Sequence, residues 1–154
     1  MTNGTSDSAY SMQKLTDEAR RLAADYRRAT GKTLPLSPEI ATNDAIRLLH
    51  LTQADDDTCD AFYEADGEPR KVQVKGRVVF DQGKAASRIG QLKFEKPWDE
   101  TLLVLMDENY ETSEIYKAER KKMESVLAEK SPNKRGAMTV NQFKAIAIKV
   151  WPQD

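Results

Sequence analysis

One cysteine and one histidine are all that this chain of 154 residues offers as thiol or imidazole ligands. Cys59 alone excludes an internal disulfide and fits a reducing cytoplasm. Together with His50 it falls short of the donors that a structural zinc site needs. No apolar run approaches the roughly 18 residues of a membrane span, and the opening MTNGTSDSAYSMQK lacks the basic and apolar regions of a signal peptide. A cytoplasmic protein without membrane attachment is therefore expected. Glycine-rich phosphate loops of the GxG kind are missing, which leaves nucleotide-binding folds without support. His50 closes an apolar helical pattern and reads as a helix C-cap rather than a base, and Trp98 and Trp151 read as core or interface anchors.

An excess of one charge is also absent, since the formal net charge is −1. Taken alone this argues against a polyanionic partner, but the distribution is uneven. Glu39 to Glu68 holds nine acidic residues and one basic; Arg70 to Lys93 holds seven basic and one acidic; Lys117 to Lys149 holds nine basic and three acidic. An acidic cluster between basic segments suits a metal-dependent enzyme on a phosphodiester, because the basic segments can neutralise backbone charge. Solvated charged faces would give the same counts.

Residues 1–10 read as a flexible N-terminal tail and 11–154 as one domain. From Met12 to about Ala29, the positions Leu15, Ala19, Leu22 and Tyr26 predict a helix that Gly31 stops. A second helix is expected from Ser37, with Pro38 at its first position, to about His50. CDAFYE and KVQVKGRVVF, separated by ADGEP, read as a β-hairpin. TLLVLMD has the unbroken apolarity of a strand buried on both faces, and SEIYKA supplies its partner. A helix from about Glu119 to Glu129 and a last one opening at Thr139 complete the chain. Gln142 gives that last helix a capping box, and Val140, Phe143, Ala147 and Val150 give it a buried stripe. The expected class is α/β, or α+β: a mixed sheet of about four or five strands flanked by helices.

Strand alternation sets Val72 and Val74 on one face of the second hairpin strand and Lys71, Gln73 and Lys75 on the other. If the hairpin brings Asp60 beside that polar face, then Asp60, Gln73 and Lys75 converge. One carboxylate, the Gln73 amide oxygen and the Val74 carbonyl would form a partial oxygen shell for Mg²⁺, and the lysine would stabilise charge on an attacked phosphate. On the residues alone, Asp60 equally marks a strand edge, Lys75 an exposed sheet position, and Glu39 a favourable charge near a helix N-terminus.

The stretch CDAFYEADGEPRKVQVKG resembles the active-site hairpin of the PD-(D/E)xK, or restriction-endonuclease-like, nuclease superfamily, in the D…QxK variant seen in Mrr-like proteins. LSPEIATNDAIRLLHL before it, and ETLLVLMDENYETSEIYKA and RGAMTVNQFKAIAIKVW after it, are similar to a family of small uncharacterised bacterial proteins of that fold. The resemblance implies Asp60 as the metal-binding acid, Gln73 at the second-acid position, Lys75 as the catalytic lysine and Glu39 as an additional acid near the metal. Cys59 stands where the named motif has proline. The implied activity is Mg²⁺-dependent hydrolysis of phosphodiester bonds in DNA, with Mn²⁺ able to substitute. Arg77, Lys84, Arg88, Lys134 and Arg135 would contact nucleic-acid phosphates, and a homodimer or larger complex would supply specificity. The competing readings are a catalytically inactive protein of the same fold that binds nucleic acid or a protein partner, and a structural or oligomerising subunit.

Overall fold

The computed structural model describes residues 3–34, 36–79, 88–89, 92–129 and 138–153, with side chains from residue 12 to 128 and from 138 onward within those ranges. Its elements are α1 (Asn3–Thr30), α2 (Ser37–Leu49), β1 (Thr52–Gln53), β2 (Ala61–Ala65), β3 (Glu68–Val78), β4 (Glu100–Met106), β5 (Thr112–Glu119), α3 (Arg120–Glu129), α4 (Val140–Ile146) and β6 (Ile148–Trp151). The class is α+β, with six strands in the order β1-β2-β3-β4-β5-β6, one more than the upper end of the expectation. Every neighbouring pair is antiparallel except β3 and β4, which run parallel. Among the described residues no helix is long and apolar enough to cross a membrane.

The apolar run becomes β4, and every residue of it is buried. Leu102, Val104 and Met106 face one hydrophobic cluster with Ile40, Ala41 and Ala45 of α2 and Ala23 and Ala24 of α1. Leu103 and Leu105 face a second, with Trp98, Met123 of α3 and Phe143 of α4. Burying each such side chain contributes about 1.5–3 kcal/mol, so neither face can be left bare. The hairpin turn is the two-residue Asp66–Gly67, both at positive φ (55° and 81°), as a type I′ connection between right-twisted strands requires.

Several local expectations shift. Helix α1 begins at Asn3, nine residues before the periodicity places it. Ser37 is itself helical, so the N-cap is Leu36, which makes no side-chain capping bond. His50 takes the left-handed C-cap position (φ 56°), its N–H reaching Ile46 O. In α4 the Thr139–Gln142 capping box is present, but the helix ends at Ile146. Ala147 and Val150 therefore do not continue its buried stripe, and Val150 belongs to β6.

Two contacts fix α2 over the sheet. Asp44, 1% exposed, receives a two-pronged bond from Arg20 of α1 (3.0 and 2.9 Å) and one from the Thr112 hydroxyl (2.6 Å). Burial pushes its carboxyl up, but the Arg20 and Thr112 hydrogen bonds and the Arg20 charge outweigh that and leave it below the ordinary aspartate value. The second contact is at Gly76, where an added Cβ would lie 2.6 Å from Ala41 Cβ and 3.1 Å from Ser37 O. A glycine inside a strand here marks close backbone approach. Gly76→Ala is expected to cost about 1–3 kcal/mol through overpacking, and adding Ala41→Gly should return part of that loss. Urea midpoints of both single variants and the double variant test the coupling; additive losses would mean that α2 does not rest on Gly76.

Candidate functional site

Strand β3 is longer than β2, and this mismatch creates the site. Pairing between them ends at Ala61↔Val72, while β3 continues to Val78 along β4. Past Val72 one edge of β3 is therefore released from its hairpin partner, and its first freed N–H, that of Val74, needs an acceptor. Asp60, just before β2, supplies it: Oδ2 accepts from Val74 N at 2.7 Å. Beside this overhang lies a cleft of about 680 Å³ whose walls include Glu39, Asp60, Gln73, Lys75, Lys93 and Lys96. Glu39 comes from the first turn of α2, whose approach Gly76 permits.

The four residues read from the sequence as the catalytic set thus line one cleft, in unlike environments. Asp60 and Glu39 are exposed, Lys75 is half-buried, and Gln73 is 5% exposed. The Gln73 amide is engaged on both sides: Nε2 donates to Thr101 Oγ1 (3.0 Å) and Oε1 accepts from Lys93 N (3.2 Å). Those bonds tie β3 to β4 and to the Lys93–Trp98 segment. Arg77 continues the Gln73–Lys75 row on β3, and its Nε is buried without a hydrogen-bond partner among the described residues. Arg88 is exposed and bridges to Thr139. Lys84, Lys134 and Arg135 lie outside the described residues.

The donors suit a hard cation in part. Mg²⁺ is commonly held by one or two carboxylates and completes its shell with water and phosphate oxygens. Asp60 Oδ1 and the Glu39 carboxylate are oxygen donors of that kind. Among the described residues no group of three or more His, Cys, Asp or Glu is placed to hold a metal ion. Gln73, with its oxygen on the Lys93 N–H, orients the site more directly than it offers a ligand.

Three contributors escaped the sequence reading. Lys93 and Lys96 enter the cleft from a segment with no strand or helix period, visible beforehand only as charge. Arg120 holds that segment. Its guanidinium lies over Trp98 (4.6 Å) and Phe94 (5.4 Å) and donates to the carbonyls of Lys96 (2.6 Å), Trp98 (3.0 Å) and Phe94. On the acidic side, Asp56 accepts from the N–H and hydroxyl of Thr58, which holds its carboxyl below the ordinary value. Lys96 Nζ donates to Asp57 O at 2.7 Å, joining the two loops.

Lys75 is the lysine of the cleft whose titration is shifted. Burial first, and the nearby Lys93 ammonium second, push its pKa below the ordinary lysine value, while Asp60 pulls it upward. A lysine whose pKa is depressed by folding carries a penalty when charged, and that penalty is relieved as pH rises through the depressed value toward 10.5. Asp60→Asn should therefore lower the Lys75 pKa further, and Lys93→Gln should raise it. Side-chain NMR titration of Lys75 reads both, and movement in neither variant would mean that these charges do not meet across the cleft. No protein-family model matches this chain and no curated protein is significantly similar to it, so the chemistry of the cleft has to be read from its own residues.

Proposed function

We propose that this chain is a Mg²⁺-dependent nuclease that hydrolyses phosphodiester bonds in DNA. The observation that carries the reading is the meeting of Glu39, Asp60 and Lys75 at the overhang of β3, three charged residues from α2, the β2 approach and β3. Asp60 and Glu39 would hold the cation, with Mn²⁺ able to take its place. A bound divalent cation would lower the pKa of its water and offset charge on the phosphoryl group. The residues of the chain do the rest. Asp60 lines the cleft with its Oδ2 held by the Val74 N–H, which restricts how its carboxylate can turn. Lys75, half-buried one residue beyond that contact, can donate to the attacking oxygen or to charge growing on the phosphate. Gln73 fixes the Lys93 backbone, and Lys93, Lys96 and Arg77 provide positive charge for the flanking phosphates.

A second reading is favoured by one observation: among the described residues no three acids are placed together to hold a metal ion, and the Gln73 amide oxygen is committed to the Lys93 N–H. On that reading the cleft binds nucleic acid without cutting it. Cleavage and affinity, measured together on DNA and RNA with Mg²⁺ or Mn²⁺ at two salt concentrations, separate the two. For the nuclease, Lys75→Ala should lower cleavage by about 10²-fold or more with little change in affinity. Asp60→Asn should weaken cation binding in calorimetry. For the binder, the unmutated chain cuts nothing, and Lys75→Ala lowers the salt slope of binding by about one unit.

A further inference from the structure

Segment 93–98 belongs to no strand or helix, so its backbone groups need other partners. Lys93 O accepts from Trp98 Nε1 (2.7 Å) and from Lys96 N (3.1 Å), while Lys93 N reaches Gln73 (3.2 Å). The carbonyls of Phe94, Lys96 and Trp98 all go to one guanidinium, that of Arg120 at the start of α3. The same guanidinium lies over the Trp98 and Phe94 rings, and its Nε donates to Glu124 (3.3 Å). Lys93, Lys96 and Trp98 line the cleft, and Arg120 does not.

We propose that Arg120 is a positioning residue for the cleft, acting from outside it: by caging the backbone of segment 93–98 it sets where Lys93 and Lys96 stand. Three carbonyls and two rings around one group need a planar donor with several N–H bonds. A lysine at this position keeps the charge but has one nitrogen and no plane to lay on the rings, so it cannot replace the fork. Beyond Trp98 the chain is tied independently of the guanidinium. Asp99 N donates to Lys71 O (2.8 Å), Asp99 Oδ2 accepts from Lys71 N (2.9 Å), and Asp99 O accepts from the Arg120 backbone N–H (3.0 Å). Loss of the guanidinium therefore frees segment 93–98 and leaves β4 seated. The consequence for nucleic acid rests on the function proposed above, whereas the consequence for the segment does not.

Hydrogen exchange of the full chain, followed by NMR, tests this. Arg120→Lys should speed exchange at the Lys93 N–H and the Trp98 Nε1–H by about 10-fold or more, and leave the amides of Leu103 and Val104 in β4 unchanged. If that variant fails to fold, Phe94→Leu takes one ring from the guanidinium and none of its hydrogen bonds, and should speed the same two sites by about threefold. DNA affinity, measured with Ca²⁺ and with a chelator at several salt concentrations, gives a second readout. Arg120→Lys should lower the salt slope by about one to two although it removes no charge, and should change nothing further in a chain carrying Lys93→Gln and Lys96→Gln. Exchange unchanged at both sites, exchange raised equally across β4, or a slope loss that adds to that of the lysine variants would each overturn the proposal. An unmutated chain that binds no DNA in either condition would overturn the function proposed above instead, and hydrogen exchange alone would then decide the role of Arg120.

Discussion

A central strand with no exposed face is the constraint from which the other features of this fold follow. All of β4 is buried, so the protein must supply one apolar layer on each side of the sheet, and α1 with α2 and α3 with α4 are those layers. The parallel β3–β4 pairing adds a second demand, since parallel neighbours need a crossover rather than a tight turn. Of the described residues in that crossover, Ile89, Leu92 and Trp98 are buried against α3 and α4. Its Lys93 N–H meets Gln73, and Lys93 and Lys96 line the cleft. The cleft is thus a consequence of how β4 is covered and of a hairpin with one strand longer than the other.

The charges at this place are arranged against their own preference. Lys75 and Lys93 repel, and burial of Lys75 adds to the cost of its charge. The segment bearing Lys93 stays there because Gln73 holds its backbone and Arg120 grips the carbonyls and rings around it. Lys75 and Lys93 thus share one cleft with the carboxylates of Asp60 and Glu39, a surface with both signs of charge. On an open surface Lys75 would stay solvated and its pKa near the ordinary lysine value.

Much of the architecture was legible because it rests on periodicity and local chemistry. Alternation in KVQVK correctly separated Val72 and Val74 from Gln73, for strand side chains have period two whatever the tertiary context. The Asp-Gly pair announced the hairpin turn, and the Thr139–Gln142 box announced α4. Where local pattern was ambiguous the reading slipped. Ala147 and Val150 fit a continuing helix as well as a strand, and pairing of Ile148–Trp151 with β5 decided it. Gly76 carried information that alternation ignores, because its meaning depends on Ala41 lying above it.

What the sequence by itself determined is the set of elements, the doubly buried strand and the hairpin that carries Asp60, Gln73 and Lys75, since each depends on side-chain order within a few residues. The tertiary structure alone decided which groups meet. Glu39 reaches the cleft through a helix packed on a glycine, and Lys93 reaches it through a segment without periodicity. Gln73 faces Thr101 and Lys93 rather than open solvent. Such meetings join residues far apart in the chain, and they are set by the packing of layers and the path of a crossover, which no local pattern encodes.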